Sequence, residues 1–338
     1  MAKQAVTYNS VLSDIRKKTY LPVYFLMGEE PYYIDVISDY MQENILDEAS
    51  REFDQTILYG KDTDMSAIIN AAKRYPMMAS HRLVLIKEAQ QIGAWDDLNY
   101  YLQKPLRSTL LVFCYKYGTP DKRKAWLKEI GKIGVVFESP KIRDYEIPAW
   151  IKSYAKSKSI AIDEKAIAML TEFLGTDLSK IANELDKLLI TKPKQQASIT
   201  PELVEKNIGI SKDYNVFELQ SALINRDVLR ANRIVRYFAD NKKANPFVLV
   251  LSQLFNFFSN LMLFHYMPDK SGAFVASELR INPYFVRDYQ KAAQSFNAWK
   301  TMNIIGYIRE TDARSKGVDN PTVDEGDLLK ELVYKILH

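Results

Sequence analysis

The sequence predicts a mixed fold, in which an α/β domain with a parallel sheet is followed by two all-helical regions. Two observations support this prediction. Before about residue 140, short apolar runs alternate with helical patterns, as in chains of strand–helix–strand crossovers. After that point, apolar residues recur three and four positions apart and strand patterns nearly vanish. At 338 residues the chain is long enough for two or three domains, each with its own core.

The first region contains five predicted strands separated by helical patterns. The strands are the apolar runs 23–27, 53–58, 83–86, 110–115 and 135–137. The helical patterns cover 32–46, 64–74 and 122–133. Segment 138–148 contains two prolines and charges of both signs, and we therefore predict a linker there.

The second region begins with three helical patterns, at 147–156, 163–174 and 177–190, and Asp163 is a candidate N-cap. Thr200 and Pro201 predict the start of a further short helix. From residue 213 to the end the pattern is helical, with breaks near Asn241, Lys270 and Asn282.

One segment, 244–268, carries no Asp, Glu, Lys or Arg and is long enough to span a membrane. Its polar residues recur at helical spacing, however: Ser252, Gln253, Asn256, Ser259 and Asn260. We expect a largely buried bundle helix with no membrane contact.

Near the start, a predicted strand, a glycine and a helix start occur where a nucleotide-binding domain has its phosphate loop. Aligning the pattern G-x-x-x-x-G-K-[ST] from Gly28 places Tyr33 at the second glycine, Ile34 at the lysine and Asp35 at the Mg-binding hydroxyl. Two glutamates also follow Gly28 and would repel a polyphosphate. After the strand at 83–86, only Glu88 is available near the position of a Mg-binding aspartate. The sequence therefore predicts an NTPase-like scaffold without a nucleotide or any other cofactor.

Composition excludes several other classes. The net charge of +4 is too small to argue for nucleic-acid binding by itself. A single cysteine, Cys114, rules out a disulfide framework and a four-cysteine zinc module. The three histidines lack ligand spacing, so we expect no metal site. With no apolar signal segment at the start, we expect a cytoplasmic protein.

Four stretches resemble, in order and spacing, the delta subunits of bacterial DNA polymerase III. They are VYFLMGEEPYYID, RYPMMASHRLVLIKEA, TDLSKIANELDKLL and the tail ETDARSKG…DLLKELVYKIL. The resemblance implies an AAA+-like, P-loop NTPase-like α/β domain at 1–141 that binds the clamp, a small helical lid at 142–210 and a helical collar for oligomerisation at 211–338. It also implies a subunit of the DNA-directed DNA polymerase holoenzyme that does not itself hydrolyse ATP.

The resemblance further implies the partners: the sliding clamp (the beta subunit), the gamma/tau ATPase subunits, delta-prime and primer-template DNA. Two adjacent bulky apolar residues of such subunits enter a pocket on the clamp, and Met77 and Met78 match them. From the residues alone, the same pair could instead fill a core, since methionine commonly does so.

A basic segment contains Lys122, Arg123, Lys124, Lys128 and Lys132. We predict a helix with the last three lysines four apart on one face. It is either a solvated outer face or a contact to the phosphates of DNA.

The resemblance, together with the missing phosphate-loop residues, implies a non-catalytic clamp-loader subunit that binds and opens the sliding clamp during DNA replication. Two alternatives remain: a divergent AAA+ ATPase that uses Gly28 without the usual lysine, and a helical DNA-binding protein whose α/β domain is only a scaffold.

Overall fold

Five parallel strands form the centre of the first unit of the chain, Met1–Ile142. They are β1 (Val23–Gly28), β2 (Gln55–Tyr59), β3 (Arg82–Lys87), β4 (Thr109–Lys116) and β5 (Val135–Ser139). Their order across the sheet is β2-β3-β4-β1-β5, and each neighbouring pair is parallel. The computed structural model describes residues 6–191, 197–208, 211, 213–319 and 322–338. The predicted α/β fold class is confirmed.

Helices cover both faces of this sheet, which explains why β1 is buried along its whole length. The helices of this unit are α1 (Tyr8–Arg16), α2 (Pro31–Asn44), α3 (Glu48–Asp54), α4 (Met65–Ala72), α5 (Leu98–Leu102) and α6 (Ala125–Ile133). Because side chains alternate along a strand, Phe25 packs on one face with Trp126 of α6. Leu26 packs on the other face with Ile34 of α2.

Three predicted boundaries were wrong. Residues 53 and 54 end helix α3, whose N-cap Asp47 accepts the Ser50 N–H at 2.8 Å, so the strand starts at residue 55. Helix α6 starts at residue 125, because Asp121 accepts the backbone N–H of Arg123 at 2.9 Å and forms a turn before it. The predicted linker 138–148 was also too long, since β5 continues to Ser139 and the next helix begins at residue 147.

The second unit, Arg143–His338, is mostly helical. Its first helices are α7 (Ile147–Ser157), α8 (Glu164–Leu174), α9 (Leu178–Thr191) and α10 (Pro201–Ile208). Two short parallel strands, β6 (Ala161–Ile162) and β7 (Ser198–Ile199), were not predicted. Asp163 is the N-cap residue of α8 as expected, without a side-chain capping bond; its backbone N–H donates to the Ile199 carbonyl at 3.0 Å, and its carbonyl accepts the Ile167 N–H at 3.0 Å.

The remaining helices share one hydrophobic core. They are α11 (Val216–Ile224), α12 (Val228–Asp240), α13 (Phe247–Tyr266), α14 (Gly272–Leu279), α15 (Val286–Ser295), α16 (Ala298–Ser315) and α17 (Glu325–Leu337). The predicted division of the chain after residues 141 and 210 stays a prediction, and residue 210 lies outside the described residues.

By length and composition, helix α13 could cross a membrane, but 44% of its most apolar window is buried inside the protein. Leu254, Phe258 and Leu261 are fully buried in the helical core. The opposite face is exposed and includes Phe255 at 44%, whereas the sequence predicts a largely buried helix. The helix is therefore part of the bundle, with one apolar face left at the surface.

Candidate functional sites at the two edges of the sheet

The strand carboxyl ends bring the predicted phosphate-loop residues to one edge of the sheet. Gly28, the last residue of β1, has φ +145°. A Cβ added to it would lie 2.0 Å from the carbonyl oxygen of Ser139 in the neighbouring β5. This glycine is therefore required by the close approach of two backbones inside the sheet, independently of any phosphate.

Helix α2 begins at Pro31, three residues after this glycine, and side chains of the chain itself occupy its amino end. The N-cap Glu30 is 7% exposed, and its carboxylate accepts the Tyr32 N–H at 3.0 Å. The ring of Tyr33 packs against that of Tyr8 with centroids 4.8 Å apart, and Ile34 is buried. The helix terminus that would attract a phosphate thus already holds a carboxylate.

A lysine from the neighbouring strand β4 forms ion pairs with two carboxylates at the same edge. The ammonium of Lys116 lies 2.7 Å from Asp35 and 3.3 Å from Glu88. Burial favours the neutral amine, but the hydrogen bond and charge of Asp35, together with Glu88, outweigh it and raise the pKa of Lys116. The three groups carry a net charge of −1. They form an intramolecular ion cluster at the edge where an NTPase would hold Mg and the outer phosphates.

The opposite edge, where the strands begin, carries the loop 73–81 between α4 and β3. In this loop Met77 is 76% exposed and Met78 is 60% exposed, beside Tyr75 at 72%. The two methionines lie outside the hydrophobic clusters of the unit, so they do not fill its core. They form an apolar projection from the protein surface.

A residue that sequence reasoning missed ties this loop to the domain. Asp54, the last residue of α3, is fully buried beneath the loop and accepts hydrogen bonds from its backbone. A buried aspartate at a helix end is an unusual placement, yet sequence spacing alone does not connect it with residues 77–79.

The basic segment is only partly a helix and is partly neutralised. Residues 122–124 precede α6, so the predicted face of three lysines four apart is reduced to Lys128 and Lys132. Lys122 pairs with Glu138 at 2.7 Å, and Lys132 pairs with Glu129. Arg123 pairs with Asp121 in the turn. Within the described part of the chain, Lys124 and Lys128 are exposed and form no ion pair.

Metal ligation has no basis among the residues that the structure describes, since no three His, Cys, Asp or Glu side chains there could hold an ion together. Cys114 is buried in β4, and burial raises the pKa of its thiol to about 12. It is therefore an uncharged core residue at neutral pH.

Known proteins share sequence similarity with this chain over most of its length. Residues 24–139 match the family model of the DNA polymerase III delta subunit. The chain is 23% identical over 319 residues to DNA polymerase III subunit delta of Bacillus subtilis, covering 90% of this chain and 91% of the relative. It is 21% identical over 217 residues to the corresponding Escherichia coli subunit, covering 63% and 62%.

A solved structure supports the fold. The Bacillus subtilis DNA clamp loader delta protein superposes with a TM-score of 0.54 at 21% identity, covering 98% of this chain and 99% of that one. The sequence matches include the strand–glycine–helix region and the exposed methionine loop. This chain is therefore similar to the delta subunits of DNA polymerase III, in the family model over residues 24–139 and in pairwise comparison over most of its length.

Proposed function

We propose that this subunit binds the sliding clamp of its host through the Met77–Met78 loop and stabilises the opened ring for loading onto primed DNA. The observation that carries the proposal is the exposure of these two side chains, 76% and 60%, at the edge of a rigid sheet. Large apolar side chains presented in this way are typical anchors of protein interfaces. Methionine adapts its shape readily to an apolar pocket.

Opening the ring requires no chemistry from this chain. A protein that binds the open ring more tightly than the closed ring shifts the equilibrium by the difference between its two affinities. ATP binding and hydrolysis on the gamma/tau subunits would control when the loop is available to the clamp.

The subunit acts without a nucleotide of its own. Glu30 caps the helix end at which a phosphate would bind, and Lys116 is already paired with Asp35 and Glu88. A polyphosphate would have to displace the cap and would meet a cluster with net negative charge. This argues against the alternative of a divergent ATPase.

The helical unit joins the other subunits, including delta-prime, in this proposal. Helix α13 exposes large apolar side chains on one face: Val248 at 59%, Leu249 at 58%, Leu263 at 58% and Tyr266 at 75%. A face of this kind on a bundle helix is suited to packing against helices of neighbouring subunits. The assembled complex would act in the cytoplasm.

DNA contact is a second role, and it is supported only by the exposed Lys124 and Lys128. The other three basic residues of the segment already have acidic partners. We therefore propose that these two lysines contact the phosphates of primer-template DNA in the assembled loader. The isolated chain would not make this contact.

The test is direct binding of the purified chain to the purified sliding clamp of the same organism, measured by surface plasmon resonance. Saturable binding supports the proposal. Strong, salt-dependent binding of the isolated chain to DNA with no binding to the clamp would instead favour the DNA-binding alternative.

A further inference from the structure

The exposed loop has no regular secondary structure, yet its backbone is held by one buried carboxylate. Three consecutive N–H groups donate to Asp54: Met77 to Oδ1 at 2.6 Å, and Met78 and Ala79 to Oδ2 at 2.8 and 2.7 Å. Successive backbone N–H groups that converge on one anion form a strong anion-binding arrangement. Here the anion belongs to the protein itself.

The sheet topology explains how residues 23 to 25 positions apart come together. Asp54 directly precedes β2, and the loop directly precedes β3. These strands are parallel neighbours with Gln55 opposite Leu83, so their amino ends lie side by side. The carboxylate therefore lies directly beneath the loop.

Neither helix α3 nor the nearby arginine stabilises the buried Asp54 carboxylate as well as the loop amides do. An anion at the carboxyl end of a helix is disfavoured by the helix dipole, and Asp54 is the last residue of α3. The nearest guanidinium nitrogen of Arg82 is 3.9 Å away, and this arginine bonds instead to the Phe53 carbonyl at 3.2 Å and the Thr56 hydroxyl at 2.9 Å. The loop amides are thus the main partners of this carboxylate.

We propose that Asp54 is a positioning residue that holds the Met77–Met78 loop in the conformation presented to the clamp. Its side chain fixes the two backbone N–H groups of the methionines while leaving both side chains exposed. An interface loop that is ordered before binding loses less conformational freedom on association, and its affinity is higher for that reason. This inference rests on the proposed function for its partner, but the order of the loop can be tested without the clamp.

The first measurement uses the unchanged protein and amide hydrogen exchange. The amides of Met77, Met78 and Ala79 should exchange at least about tenfold more slowly than the same amides in an unstructured peptide, because each is bonded to a buried acceptor. Exchange of all three at the unstructured rate would overturn the inference. This result does not depend on any variant folding or on clamp binding.

The second measurement uses Asp54→Asn, which keeps the shape but leaves one accepting oxygen in place of two. At least one of the three bonds must then be lost, since they are shared between Oδ1 and Oδ2. We expect faster exchange of the three amides and about tenfold weaker clamp binding. The matched control is Asp47→Asn, which removes the same charge from the exposed start of the same helix, where asparagine also caps well.

A double-mutant cycle separates positioning from a general structural role. If Asp54 acts through the methionines, Asp54→Asn should cause little further loss of clamp affinity once Met77 and Met78 are alanine. An equal loss in both backgrounds would overturn the inference. If the alanine pair itself leaves clamp binding unchanged, the proposed function fails at this loop, while hydrogen exchange still decides whether Asp54 orders it.

Discussion

Replacing Met77 and Met78 together by alanine should weaken clamp binding by about thirtyfold or more. The two side chains are 76% and 60% exposed, so together they offer somewhat more than one whole methionine surface for burial. Complete burial of one such side chain contributes about 1.5–3 kcal/mol. Because alanine retains the Cβ, we expect a loss of about 2 kcal/mol, which corresponds to roughly thirtyfold in affinity.

The assay is surface plasmon resonance against the immobilised clamp, with thermal unfolding measured on the same samples. The free energy of unfolding should change by no more than about 0.5 kcal/mol, because exposed side chains contribute little to stability. The control is Met302→Ala, which truncates a methionine that is 43% exposed on α16 in the other unit. It should leave clamp affinity unchanged.

Two results would refute this reasoning. A stable double variant with normal clamp affinity would mean that the binding surface lies elsewhere. A variant that unfolds much more easily would mean that the methionines support the core, in contrast to their exposure in the structure.

Four further predictions address the other proposed roles. Calorimetry should detect no Mg-dependent ATP binding at millimolar concentrations. Tight binding would contradict the inference that Glu30 and the Lys116 ion pairs block the phosphate-binding position. Leu249→Glu with Leu263→Glu on the exposed face of α13 should prevent assembly with the ATPase subunits in size-exclusion chromatography without unfolding the chain, whereas full incorporation would exclude this face. Lys124→Glu with Lys128→Glu should weaken DNA binding by the assembled loader, and an unchanged salt dependence would exclude these lysines as phosphate contacts. Burial opposes ionisation of Asp54, but the three N–H donors and a nearby guanidinium lower its pKa. The ionised carboxylate should therefore stabilise the fold above about pH 4, and this stabilisation should disappear as the pH falls through the folded-state pKa. In Asp54→Asn, the free energy of unfolding should depend less on pH in this range.

The sheet strands could be predicted because their signal is local. Runs such as 23–27 and 110–115 are continuous and apolar, as expected for strands covered on both faces. The missing phosphate-loop groups at Tyr33, Ile34 and Asp35 could be recognised for the same reason, since the motif is defined by spacing along one short segment. The resemblance to delta subunits also followed from such local patterns taken in order.

Boundaries were less predictable where a polar side chain competes with the helix for backbone groups. Asp121 binds the N–H of Arg123 and delays α6, which removed residues 122–124 from the predicted basic helix. The pairing of Lys122 with Glu138 also joins residues on different elements. Hydrophobic periodicity contains no information about either contact.

The fold class, the five strands of the large sheet and the absence of the phosphate-binding residues could all be predicted from the sequence, because each depends on residues close together in the chain. The side chains that occupy the place of the phosphate-binding residues became evident from the three-dimensional contacts. Lys116 reaches Asp35 and Glu88 because β4 lies beside both β1 and β3, and Asp54 reaches the methionine loop because β2 lies beside β3. Strand order sets these pairs, and strand order results from packing the whole sheet between its helices.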